Sequence, residues 1–128
     1  AYRLTGLKIL IVEDNPLNRQ VAYELLSNEG ADVTLAEGGL QGVEKALSDE
    51  GKFDVILMDM QMPDIDGLEA TRRIRAEAKG KTIPIVAMTA NASSTDCEKC
   101  LQAGMNDFLT KPFLFEHIKD KTLRYLAL

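Results

Sequence analysis

A chain of 128 residues, 45% hydrophobic and 27% charged, has the size and composition of one globular domain, not of a disordered or fibrous chain. The net charge of −5 argues against a nucleic-acid surface, and the basic run Arg72, Arg73 and Arg75 is too short to overturn that. No apolar stretch is long enough to cross a bilayer, the first residues lack the order of a signal peptide, and the two cysteines suit a reducing compartment, so the expected setting is cytoplasmic.

Short β-branched runs alternate with longer amphipathic segments, which is the signal of repeated βα units around a mostly parallel sheet. The first strand is expected over Lys8 to Val12, apolar almost throughout, as befits a strand covered on both faces. Asn15 then caps a helix with Pro16 in its first turn, and the spacing puts Leu17, Val21, Leu25 and Leu26 on one face before Gly30 ends it. A second strand runs from Asp32 to Ala36, and Gly38 and Gly39 lead into a helix carrying Leu40, Val43 and Leu47. The third strand covers Phe53 to Met58 and ends on Asp59, followed by a loop-rich stretch from Met62 to Gly67. A helix resumes near Leu68 and runs through Ile74 towards Ala78. Gly80 closes it before a fourth strand over Ile83 to Met88, with Pro84 near the start, where a missing donor is tolerable. Ser93, Ser94 or Thr95 starts the fourth helix, Gly104 ends it, and Asp107 to Thr110 forms a short fifth strand. The last helix follows Pro112 and carries Phe115, Ile118, Leu123 and Leu126.

In an open parallel α/β sheet, ligands collect at the carboxyl ends of the strands, near the point where strand order reverses. The residues expected there are Glu13 with Asp14, then Asp59, Thr89 and Lys111, from four different strands. Two carboxylates a few ångströms apart repel by on the order of 4 kcal/mol at the effective dielectric of a protein surface, so the cluster calls for a cation. Oxygen-only ligands suit Mg²⁺, or Mn²⁺ in its place. Such a site fits phosphoryl transfer, in which the protein positions reactants and stabilises charge on phosphoryl oxygens. Asp59, standing alone at a strand end, is the candidate nucleophile, while Glu13 and Asp14 form a natural pair for metal. Taken singly, each of these residues has a plainer reading: charged groups flank strands because loops are solvated, and Thr favours strands anyway. Taken together, they favour the functional one.

The chain resembles a receiver domain of the two-component response-regulator family over roughly Leu7 to Leu126. The resemblance lies in Ile11 to Asn15 with its acid pair, Leu57 to Pro63 around Asp59, Asp66 with Gly67, Ala87 to Ala90, and Phe108 to Pro112. It implies a flavodoxin-like (βα)5 doubly wound sandwich with a five-stranded parallel sheet of order 2-1-3-4-5. Residues 1–6 are then a linker remnant and 7–128 the receiver. It further implies that Asp59 is the phospho-acceptor and that Glu13, Asp14, Asp59 and the backbone carbonyl of Gln61 hold the metal, Glu13 directly or through water. Thr89 is the implied switch hydroxyl, Phe108 the aromatic switch residue, Lys111 the phosphoryl-binding ammonium, Lys111 to Pro112 a cis peptide, and Ala90 the residue that leaves room for the phosphoryl group. Glu13 departs from the frequent Asp, and Phe108 from the frequent Tyr.

The stretches Asp14 to Arg19, Leu68 to Arg72 and Leu4 to Leu7 look like receivers attached behind a histidine kinase in hybrid sensors. The implied partners are a histidine kinase core and a histidine phosphotransfer domain, the latter docking near the first helix, where Leu17 and Val21 face either solvent or the core. The domain is expected to be a monomer or weak dimer, without turnover chemistry of its own, in the cytoplasm or as the cytoplasmic part of a membrane-anchored sensor kinase. Three other readings stand beside this one: a stand-alone response regulator, a pseudo-receiver that is never phosphorylated, and a phosphatase of the haloacid dehalogenase type. The last wants a second Asp two residues beyond the nucleophile, where Gln61 stands. Cys97 and Cys100 have metal-pair spacing but lie within a helix with no second pair, so they read as one helix face. His117 is expected on the outer surface of the last helix, and Asn91 beside the path of a hydrolytic water.

Overall fold

The computed structural model describes residues 6–48, 53–89 and 94–110. In chain order it contains β1 (Lys8–Val12), α1 (Pro16–Ser27), β2 (Asp32–Ala36), α2 (Gly39–Ala46), β3 (Val55–Asp59), α3 (Gly67–Ala76), a 3-10 turn at Ala78–Gly80, β4 (Ile85–Thr89), α4 (Ser94–Ala103) and β5 (Asp107–Thr110). The strands form one parallel sheet of order β2-β1-β3-β4-β5, as the resemblance implies. The linker residues before Gly6, Ala90, Asn91, Ser93, Lys111, the Lys111 to Pro112 peptide and the helix expected after Pro112, with His117, lie outside the described residues.

Because side chains alternate across a strand, the apolar runs feed two separate cores. Leu10, Val12, Ile56, Met58, Ile85 and Ala87 pack with Ala46 of α2, Ala70 and Ile74 of α3 and Cys100 of α4. Ile9, Ile11, Val55, Leu57, Val86 and Met88 face the other way, onto Ala22 and Leu26 of α1. This two-sided burial explains why the strands read as continuous hydrophobic runs, and it makes the sheet doubly wound.

The structure moves several boundaries. β3 begins at Val55 and not at Phe53, and β4 spans Ile85–Thr89, with Pro84 just outside it accepting a hydrogen bond from the Ile56 N–H at 2.9 Å. α3 starts at Gly67, capped by Asp66, whose carboxylate accepts from the Glu69 N–H at 2.8 Å, and it stops at Ala76. The larger correction concerns α1. The stripe that spacing assigns to one face splits: Leu26 is buried with Ala22, whereas Leu17 is 71% and Val21 42% exposed.

α2 shows how a distant loop completes a local element. Gly38 at its N-cap offers no side chain, and Asp64, in the loop after β3, fills the role by accepting from Gly39 N–H at 3.0 Å and Leu40 N–H at 2.9 Å. The Leu40 bond is the main cause holding the Asp64 carboxyl below its ordinary value. A depressed carboxyl contributes stability that is present above its unfolded-state value and is lost as pH falls through the folded one. Asp64→Ala should therefore cost about 1 kcal/mol in neutral urea melts, a typical loss for an N-cap. That difference should shrink as the pH falls below 3.8, the ordinary carboxyl value.

Candidate functional site

At the switch point between β1 and β3 the two strands send their connections to opposite faces of the sheet, and a cleft opens at their carboxyl ends. Its volume is about 1110 Å³, and Glu13, Asp14, Asp59, Gln61, Thr89 and Lys99 are among its lining residues. Glu13 directly follows β1, Asp59 is the last residue of β3 and Thr89 the last of β4, so strand length alone delivers these side chains to one place.

Glu13 and Asp59 are almost fully buried, at 1% and 3% exposure, and Asp14 is half-buried. Each of the three can offer a carboxylate oxygen, and these oxygens lie within 4.8 Å of one another. Among the described residues no other group of three Asp, Glu, His or Cys side chains is so disposed. An all-oxygen donor set with two members withdrawn from water fits a hard divalent cation such as Mg²⁺, with coordination places left for water and a phosphoryl oxygen.

Backbone bonds fix the acids. The Glu13 N–H donates to the Ala36 carbonyl at 3.1 Å, and one Glu13 carboxylate oxygen accepts from the Asn15 N–H at 3.3 Å. Asp59 Oδ1 accepts from the Gln61 N–H at 3.3 Å, and the Met60 N–H bonds the Met88 carbonyl at 3.1 Å, which ties the β3 end to β4. Gly67 is required by close approach: a Cβ there would run into the Asp59 carbonyl, so the first turn of α3 can sit against the β3 end only without a side chain.

Of the residues singled out in the sequence, Glu13, Asp14, Asp59, Gln61 and Thr89 share this cleft. Phe108 does not line it; its half-buried ring packs against the core cluster on the α3 and α4 side. Lys111 lies outside the described residues. The cleft also contains Lys99, exposed on α4, which sequence reasoning passed over, and Cys100, whose thiol lies 3.8 Å from the Met60 sulfur. Cys100 is buried in the core cluster. Gln61 is exposed and presents its backbone N–H to Asp59, so no second acid stands where a haloacid dehalogenase-type phosphatase needs one.

The model of the response regulator receiver domain family matches residues 9–123. Among solved structures, the receiver domain of a Pseudomonas aeruginosa sensor histidine kinase, with a magnesium ion coordinated in its active-site cleft, superposes with a TM-score of 0.88. It is 45% identical, over 97% of this chain and 100% of that one. The receiver domain of the Saccharomyces cerevisiae regulator Ssk1, in complex with the histidine phosphotransfer protein Ypd1, superposes with a TM-score of 0.87 at 32% identity, over 95% of this chain and 90% of that one. The osmosensing histidine protein kinase SLN1 of the same yeast is 44% identical over 96% of this chain, which spans only 10% of that protein. Other curated relatives that the chain matches are also histidine kinases or sensor proteins, of whose length it spans 15% or less.

Proposed function

Since the chain belongs to the response regulator receiver domain family, a component of two-component phosphorelays, we propose that it accepts a phosphoryl group on Asp59 from a phosphohistidine, with Mg²⁺ held by Glu13 and Asp14. The observation that carries this reading is the convergence of three carboxylates, two of them buried, within 4.8 Å at the switch point of the sheet.

An Asp59 carboxylate oxygen attacks phosphorus, the P–N bond to the donor imidazole breaks, and an acyl phosphate forms as the imidazole leaves with its bonding pair and takes up a proton. The Gln61 N–H holds Asp59 Oδ1 and so fixes the plane of the carboxylate before attack. The Thr89 hydroxyl, at the end of the adjacent strand, donates to a phosphoryl oxygen, and the Lys111 ammonium pairs with another. Glu13, Asp14 and Asp59 would hold a divalent cation, which would supply positive charge against the phosphoryl oxygens and the three acids. Thr89 moving towards the phosphoryl group, with deeper burial of the Phe108 ring, conveys the change to the surface without a tyrosine hydroxyl.

We further propose that the chain is the receiver of a hybrid histidine kinase, working in the cytoplasm, and that its onward acceptor is a histidine phosphotransfer domain. The exposed Leu17 and Val21 of α1, close to the mouth of the cleft at Pro16 and Asn18, support that docking position. Mixed with a phosphohistidine-bearing phosphotransfer protein, the chain should take up the label in Mg²⁺ and return it on reversal. Label that stays on the donor with and without Mg²⁺ contradicts the proposal.

A further inference from the structure

Glu13 and Asp14 are consecutive, and along an extended strand consecutive side chains point to opposite faces. Both nevertheless offer oxygens to one site, so the chain must bend between them, and a bend is found at Asp14. The side chain that spans this bend is Arg19. Its Nη1 donates to the Glu13 carbonyl at 3.0 Å and to the Asp14 carbonyl at 3.2 Å. Its own N–H donates to the Asn15 carbonyl at 3.0 Å, in the first turn of α1. The Arg19 side chain is only 16% exposed, and its Nη2 lies 3.8 Å from Oε1 of the exposed Glu37. It is reached from a second cavity of about 460 Å³ between α1, β2 and α2, where Leu35, Gln41 and Lys45 also lie.

We infer that Arg19 is a positioning residue for the metal-binding pair: by joining two successive carbonyls through one nitrogen, it fixes the relative tilt of two peptide planes and hence the directions of both carboxylates. The inference rests on the reading of Glu13 and Asp14 as metal ligands and adds to it the residue that sets their geometry. The two N–H groups of Nη1 are held in the rigid guanidinium plane, one for each carbonyl, whereas a Lys ammonium would keep the charge but place its donors on a flexible stem in no fixed direction.

Charge and geometry make opposite predictions here. A cation beside the site repels Mg²⁺, so removing it should strengthen metal binding if charge alone mattered. Loss of positioning weakens it, by about tenfold for a residue one step removed from the metal. The test is a Mg²⁺ titration, followed by amide NMR shifts, of wild type, Arg19→Lys and Arg19→Gln, with thermal melts in EDTA to register any general loss of fold. The inference expects both variants to bind Mg²⁺ about tenfold more weakly, while neither melts far below wild type without metal. It also expects the Arg19 guanidinium signal of the unmodified protein to shift with the same Mg²⁺ midpoint as the Glu13 and Asp14 amides, a readout that needs no variant. Wild-type affinity in both variants, tighter binding in Arg19→Gln, or a guanidinium signal indifferent to Mg²⁺ would overturn it. A wild type that binds no Mg²⁺ would instead overturn the reading of the acid pair itself, and the inference with it.

Discussion

Asp59→Asn is expected to lose phosphoryl uptake from a small phosphodonor, with the rate falling on the order of 10³-fold or more, as when an enzyme loses its nucleophile. The amide is nearly isosteric with the carboxylate, so the buried β3 end should keep its place, yet a neutral amide does not attack phosphorus. The same change removes one of three crowded negative charges. In the absence of Mg²⁺, Asp59→Asn should therefore melt above the wild type, since the wild-type site stores like-charge repulsion. A variant that is both inactive and more stable separates the loss of a nucleophile from loss of fold. Uptake by Asp59→Asn at the wild-type rate, read by intact mass, would move the acceptor elsewhere.

Asp14→Asn carries the second large effect. At 4.8 Å, two unit charges interact by on the order of 3 kcal/mol at an effective dielectric of 20, and attraction to a dication is larger still. Partial exposure of Asp14 reduces its share, so a weakening of about 100-fold in Mg²⁺ affinity, close to 2.7 kcal/mol, is expected. Stability reports this directly, because a ligand that binds only the folded state at 100 times its dissociation constant adds about 2.7 kcal/mol. Wild type should gain that much from Mg²⁺ and Asp14→Asn very little at the same concentration. Equal gains would place the cation away from the acid pair.

The strands and the placement of the candidate site residues at their ends were legible in the sequence for the same reason. A parallel strand buried on both faces writes a continuous apolar run, and the first polar residue after that run lies at the carboxyl edge of the sheet. Glu13 after Val12 and Asp59 after Met58 are read this way, and so is Thr89 after Met88. The face of α1 was harder to read. Leu17, Val21 and Leu25 make as good a stripe as Ala22 and Leu26, and hydrophobicity weights the larger side chains. The sheet selects Ala22, whose small side chain lets the helix approach closely, and leaves Leu17 and Val21 in solvent. The contacts between segments distant in sequence were not legible at all. Asp64 caps α2 across 25 residues, and the placement of Lys99 on the cleft depends on how α4 docks, neither of which a local pattern records. Arg19 lay within a recognised stretch, but its hold on the Glu13 and Asp14 carbonyls is visible only in three dimensions.

The most direct test of Asp59 as a Mg²⁺-dependent acceptor is to locate the phosphoryl group. Wild-type protein is treated with a small phosphodonor in Mg²⁺ or in EDTA and then reduced with borohydride, which converts an acyl phosphate to an alcohol, before peptide mass mapping. The reduced residue should be Asp59 alone, and only in the Mg²⁺ sample. Reduction at another carboxylate, phosphate retained on His117, or equal yield in EDTA would contradict it.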